Sequence, residues 1–250
     1  MIRVILVRHG ETEWNKDHRL QGQSRVDLAD SGYQQAQQAG RYVRSQQPVR
    51  GYVTPLHRTH QTFDQFGLDF EPEVAEGLIE QSLGEWEGMK TARAKDDYVQ
   101  LYRAWKRGEA TPPQGEAPDR VRQRTAAAFC RIVRDAAELE PTDSPDLSMA
   151  VRTVVAVSHG TSLKALLESL GLVDRSQVIS LTAAAITVVD VPLHGGPLSS
   201  SLPHGGAGIS GGAEEERRII AGLTDEQIIR YAKLRMYNLS PEVLAHLPAQ

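Results

Sequence analysis

Twice this chain runs through a stretch of β-branched residues and stops on His-Gly, as RVILVRHG at 3–10 and TVVAVSHG at 153–160. Runs this short and this continuous in Val and Ile suit strands buried on both faces. After the first run and a turn comes DSGYQQAQQAGRYVRSQQP, a helix with Asp30 or Ser31 as its N-cap and Pro48 as its stop. The second run leads directly into the helical TSLKALLESLG. Between them, GYVTPL reads as a strand broken by Pro55, and RTHQTFDQFG as a helix closed by Gly67. Further on, Val121, Thr125, Phe129, Ile132, Val133, Ala136 and Leu139 share one helical stripe, and AAAITVVDV is another strand. Strands alternating with helices predict an α/β fold with a largely parallel sheet, whose ligands bind beyond the carboxyl ends of the strands. Both His-Gly pairs fall there.

The remaining stretches are less regular. TARAKDDYVQLYRAWKR, from Thr91 to Arg107, reads as an exposed helix ended by GEATPPQG. PLHGGPLSSSLPHGGAGISGG, residues 192–212, is rich in Gly, Ser and Pro and reads as a flexible insertion. It carries His194 and His204, but no carboxylate or cysteine at ligand spacing. Beyond it, Thr224 to Gln227 fits a helix capping box, whereas Tyr231 to Tyr237 alternates like an edge strand. The single cysteine, Cys130, cannot form an intramolecular disulfide and reads as a small core residue. A chain of 250 residues makes one large domain or two small ones. With 28 basic and 32 acidic residues it carries a net charge of −4, which argues against nucleic acid as its main ligand. MIRVILV is too short and strand-like for a signal peptide, and no apolar run approaches the ~18 residues of a membrane span. The expectation is a cytoplasmic protein without a membrane partner.

Two histidines at two strand ends fit a metal pair, a nucleophile with its partner, or two unrelated core residues. Their neighbours narrow the choice. Arg8 precedes His9, and Pro55 to Arg58 places a second arginine in the turn after another candidate strand. The forked guanidinium suits phosphate oxygens, and two of them disfavour a metal dication at the same spot. Several carboxylates lie within reach along the sequence, among them Glu11, Glu71, Glu73, Glu76, Glu80, Glu85 and Glu87. His57 and His60 flank Arg58 and read as residues of an entrance.

LVRHGETEWN at 6–15 resembles the signature of the histidine phosphatase superfamily, the phosphoglycerate mutase-like proteins. So do LQGQSRVDLADSGYQQAQQAG, TPLHRTHQT (with Thr54 and Thr59 where the family pattern has Ser and Ala), LIEQSLGEWEGM and VSHGTSLKALL, in that order. This resemblance implies a three-layer α/β/α sandwich with a mostly parallel central sheet and a small helical cap. It implies one domain over 1–250, with the cap at 89–116 and the insertion at 192–213. His9 is then the nucleophile that accepts a phosphoryl group, with Arg8, Arg58, His159, Asn15 and Gly160 around its oxygens. Glu80, which precedes the Gly-Glu-Trp-Glu-Gly element, is the implied proton donor, and Glu11 packs behind the pocket. No metal and no cofactor are implied. The implied activity is hydrolysis of a small phosphorylated metabolite through phosphohistidine. The alternatives are a phosphomutase, for which the segment from Thr91 to Gly115 is short, and a non-catalytic phosphate-binding module. Arg93, Lys95, Tyr98, Tyr102 and Arg103 suit an anionic or sugar-bearing leaving group. LRMYNLSPEVLAHL resembles the family's closing strand and tail, and its stretch from Met236 to Glu242 resembles that of glucosyl-3-phosphoglycerate phosphatases, which points to a sugar phosphate or phosphoglycerate derivative. A homodimer through a sheet edge is a family-level expectation.

Overall fold

The apolar residues of the first strand, β1 (Ile2–Arg8), are shared between two cores. Ile2, Val4 and Leu6 pack with Phe129, Val133, Leu163 and Leu166, whereas Ile5 and Val7 pack with Ala39, Val43, Phe63 and Phe66. Alternate side chains of a strand point to opposite faces, so a strand apolar on both must be covered on both. In this computed structural model, which describes residues 1–143, 150–174, 179–192, 218–219 and 221–246, that is the arrangement. Helices α2 (Asp30–Ser45), α3 (His57–Asp64) and α9 (Pro241–Ala245) cover one face, and α6 (Pro118–Ala137), α7 (Gly160–Ser169) and α8 (Asp225–Tyr231) cover the other. The result is the α/β/α sandwich.

The strands lie in the order β3 (Glu73–Val74), β2 (Arg50–Val53), β5 (Ala150–Ser158), β1, β6 (Ile186–Val191), β7 (Lys233–Leu239), with the short β4 (Thr142–Asp143) against β5. From β3 to β1 every contact is parallel, and the β1–β6 and β6–β7 contacts are antiparallel. Register between β1 and β6 is pinned inside the protein. Arg3 lies opposite Asp190 and donates from Nε and Nη2 to its two carboxylate oxygens at 2.9 and 3.1 Å, while Nη1 donates to Gln46 Oε1 at 2.9 Å. A one-residue slip would break this fork and send each β1 side chain into the opposite core, whose partners are shaped for other residues.

Several local expectations change. Helix α2 begins at Asp30 with Ala29 as its N-cap, because the Ser31 hydroxyl donates instead to Glu11 Oε2 at 2.6 Å. Thr91–Arg107 is not one exposed helix. It forms α4 (Thr91–Asp97) and α5 (Val99–Lys106), broken at Tyr98 (φ −129°, ψ 43°), and Ala94, Tyr102 and Trp105 are buried on Trp86 and Leu83. The Trp86 and Trp105 rings meet edge-on with centroids 5.5 Å apart, a favourable aromatic geometry. Capping box and edge strand near the end both exist, one after the other. Thr224 and Gln227 cap α8 reciprocally, and β7 follows on the edge of the sheet. Cys130 is buried in the α6 core, and burial pushes its thiol up to about 12. Most of the proposed insertion, with His194 and His204, lies outside the described residues. No helix among the described residues is long and apolar enough to cross a membrane.

Candidate active site

Parallel pairing is what assembles the site. In register, Leu6 of β1 and Tyr52 of β2 both lie beside Ala156 of the central β5, and Arg8 lies beside Ser158. All three strands therefore end together, and the residues just past their ends converge at one edge of the sheet. The His9 amide donates to Ser158 O at 2.9 Å, which sets the two His-Gly turns side by side. The imidazoles of His9 and His159 end 5.2 Å apart between centroids, tilted by 59°.

His9 Nδ1 lies 2.7 Å from Gly10 O. A carbonyl only accepts, so Nδ1 carries the proton and donates, and the Nε2 lone pair is left unprotonated. Burial, then Arg58 and Arg8, hold the His9 pKa well below 6.5. Both arginines contribute, but desolvation is the larger cause. His159 is depressed in the same way, first by burial and then by Arg58, His9, Arg8 and Arg124. Its Nε2 is 2.9 Å from Thr54 Oγ1, and its Nδ1 is buried without a hydrogen-bond partner. Gly10 allows a close backbone approach. A Cβ there would come 2.5 Å from Gly32 O, so the glycine lets the turn lie against the start of α2.

Both guanidiniums are held by backbone carbonyls. Arg8 Nη1 donates to Leu181 O, and Arg58 Nη1 and Nη2 donate to Ser24 O and Gly22 O at 2.9 and 2.7 Å. On each, Nε is buried without a partner. Burial holds both below the ordinary arginine value, Arg58 at about 10, with Glu80 opposing the shift. These cations are rigid and partly unsatisfied, which suits them to an anion.

Glu80 lies across the start of α7. Its carboxylate accepts from the Thr161 and Ser162 amides at 3.2 and 3.0 Å, from Ser162 Oγ at 3.1 Å and from the Gln81 amide at 2.9 Å. The helix N-terminus would otherwise present these amides unpaired. Asn15 belongs to α1 (Glu13–Lys16), where its Oδ1 accepts from the Thr12 amide and hydroxyl in a capping box. Its amide nitrogen is therefore the group it can offer a ligand.

Arg8, His9, Asn15, Arg58, Glu80 and Gly160 line one hollow of about 880 Å³, counting its open mouth. His159, fully buried, does not border the hollow itself but sits beside His9, with ring centroids 5.2 Å apart. Glu11 lies away from it, bonded to Ser31, as expected. His57 does not border it. Its Nδ1 is 2.7 Å from Asp27 Oδ1, and it belongs with His60 and Arg25 to a separate surface hollow. Nor do the expected residues of α4 and α5 reach it. Arg93 pairs with Asp97 at 3.0 Å, and Tyr98 and Tyr102 pack on Trp86. Instead Trp105 and Lys106 line the wall, with Arg19 and Lys164 from two other segments. The sequence carries no local signal for Lys106, whereas Arg19 lies between two of the motifs and Lys164 lies within VSHGTSLKALL. Such a site can hold a dianion between fixed cations beside an unprotonated imidazole nitrogen.

Residues 4–200 match the histidine phosphatase superfamily (branch 1). The chain is 32% identical over 168 residues to the glucosyl-3-phosphoglycerate phosphatase of Mycobacterium tuberculosis, covering 66% of this chain and 73% of that protein. A mycobacterial glucosyl-3-phosphoglycerate phosphatase complexed with VO3 superposes with a TM-score of 0.73 over 95% of this chain and 99% of that one. At 24% identity, that is a likeness of fold. The Entamoeba histolytica phosphoserine phosphatase in complex with 3-phosphoglyceric acid is 26% identical, with a TM-score of 0.63 over 76% of this chain and 91% of that one. With the motifs in order, the sandwich in place and these likenesses, this chain belongs to the histidine phosphatase superfamily and is a phosphoric monoester hydrolase of phosphoglycerate mutase-like fold.

Proposed function

We propose that the protein hydrolyses a small phosphorylated metabolite through a phosphohistidine on His9, without a metal. The observation that carries this reading is the bond from His9 Nδ1 to Gly10 O, which leaves Nε2 bare near the Arg58 and Arg8 guanidiniums. In the first step Nε2 attacks phosphorus, the P–O bond to the leaving group breaks, and protonated Glu80 gives its proton to the departing alkoxide. In the second, water attacks the phosphohistidine, Glu80 takes the proton from that water, the N–P bond breaks and inorganic phosphate leaves. Arg8, Arg58, the Asn15 amide and His159 Nδ1 hold the non-bridging oxygens. Phosphoryl transfer asks mainly for positioning and charge neutralisation, and two guanidiniums supply the charge that a dication supplies elsewhere.

The substrate is proposed to be a phosphoglycerate-type ester bearing a second negative group. Arg19, Lys106 and Lys164 give the hollow cationic side chains beyond those assigned to the phosphate, and Trp105 gives it an apolar wall. The names of the relatives agree with such a substrate, since one is a glucosyl-3-phosphoglycerate phosphatase and another binds 3-phosphoglyceric acid. Segment 89–116, with α4 and α5, acts as the cap of a single domain.

The test is a rapid quench. Enzyme mixed with a phosphate-labelled ester and denatured mid-turnover should carry acid-labile, base-stable phosphate, which His9→Ala abolishes. Turnover without labelled protein at any time point would overturn the covalent mechanism. A panel of phosphoglycerates, sugar phosphates and phosphoserine, followed by phosphate release, assigns the substrate.

A further inference from the structure

The motif that carries Trp86 also carries, one residue on, a carboxylate with no part in the chemistry above. Glu87 is half-buried, and each of its oxygens is spent on backbone or side chain nearby. Oε1 accepts from the Gln23 amide at 3.0 Å and from the Leu83 amide at 3.1 Å, and Oε2 accepts from the Ser24 hydroxyl at 2.6 Å. Glu87 thus ties the strap of residues 22–24 to the loop that follows Glu80. The fit is close. Gly22 sits at φ +53°, and a Cβ there would fall 2.2 Å from Glu87 Oε1.

That strap carries the two acceptors of Arg58. Gly22 O and Ser24 O receive its terminal nitrogens, and the Gln23 side chain between them donates to Glu80 O at 2.9 Å. Glu87 also opposes by its charge the shift that burial imposes on the Arg58 guanidinium. We infer that Glu87 is a positioning residue for phosphoryl transfer. By clamping residues 22–24 it fixes the carbonyl pair that aims the Arg58 guanidinium into the hollow. This rests on the phosphate-binding role proposed above for Arg58.

Carbonyls on a loose strap would let a guanidinium drift by a fraction of an ångström to an ångström, enough to cost a positioned reaction roughly 10- to 100-fold. The experiment is a double-mutant cycle in kcat/KM toward p-nitrophenyl phosphate. It uses Glu87→Ala, Arg58→Ala and their combination, at enzyme concentrations that keep the slowest variant measurable. Glu87→Ala should lower kcat/KM by that factor when Arg58 is present and by less than about threefold when Arg58 is absent, because the two act as one unit. Glu87→Gln keeps the shape and one acceptor oxygen, so it should fall between. It replaces Glu87→Ala in the cycle if that variant does not fold. Equal losses in both backgrounds, or no loss in either, overturn the positioning role. An Arg58→Ala enzyme with full activity would instead overturn the function proposed for the site.

Discussion

Mild acidification should destabilise this fold through the same two histidines that form its site. His9 and His159 are 3% and 0% exposed, and burial, with Arg58 next in size, holds both well below 6.5. The unfolded chain takes up a proton at each imidazole near pH 6.5, whereas the folded site stays unprotonated until its depressed values are reached. The unfolded state then binds more protons, so stability is full above about pH 6.5 and falls as pH drops toward the folded values. Each pH unit below that point costs about 1.4 kcal/mol per histidine. At about pH 5.5 the pair should cost about 3 kcal/mol, a large share of the roughly 5–15 kcal/mol that holds a typical domain together. Ordinary carboxylates titrate near about pH 4 and stay ionised in this window. Urea unfolding at about pH 7.5, 6.5 and 5.5 measures the slope, in buffer free of phosphate, which would stabilise the folded state by binding it. Comparison with a His9→Gln, His159→Gln double variant cancels every other titrating group. If the wild-type protein loses no more stability than the double variant over this range, the two imidazoles are not held neutral by the fold and the reasoning fails.

Glu80→Gln should slow esters with poor alkoxide leaving groups at least tenfold more than p-nitrophenyl phosphate, whose leaving group needs no proton; equal losses would remove Glu80 from the acid role. Asp190→Asn leaves the Arg3 guanidinium, 1% exposed, without the charge it now meets at 2.9 Å. That should cost about 3 kcal/mol, seen as a fall in Tm of roughly 6–12 °C, with KM unchanged because the pair lies at the other end of β1 from His9. Prolonged incubation with EDTA should leave kcat/KM unchanged, and a loss restored by zinc or magnesium would refute the metal-free mechanism.

The two His-Gly runs were legible because period and composition agree. Val and Ile on consecutive positions leave no solvent face, and a buried strand follows. Capping chemistry was legible for the same local reason at Thr224 and Gln227, but not at α2, where a distant partner, Glu11, takes the Ser31 hydroxyl. The α4–α5 segment misled because charged residues are interleaved with its apolar ones along its whole length. Its Ala94, Tyr102 and Trp105 form a buried face only once Tyr98 breaks the helix and Trp86 arrives from another loop. The same holds for the wall of the hollow. Arg19, Lys106 and Lys164 stand in three segments with no common spacing, and only the folded chain brings them to one place. Sequence motifs report what the strand ends carry, whereas the walls that choose a substrate depend on how loops and helices pack above them.

The two imidazoles show how little separates the duties proposed for them. Thr59 Oγ1 lies 3.0 Å from Thr54 O and 2.8 Å from Leu56 O, so its proton goes to a carbonyl. The Thr54 hydroxyl then has two acceptors within reach, Thr59 Oγ1 at 3.2 Å and His159 Nε2 at 2.9 Å. Donation along the shorter path places the His159 proton on Nδ1, the atom left without a protein partner. His159 in this tautomer offers an N–H to an anion, while His9, bonded through Nδ1 to Gly10 O, offers a lone pair from Nε2. Both rings are equally buried and both are held neutral, so neither burial nor charge distinguishes a nucleophile from an oxygen-binding donor here. One backbone carbonyl and one threonine hydroxyl do, by fixing which nitrogen of each ring carries the hydrogen.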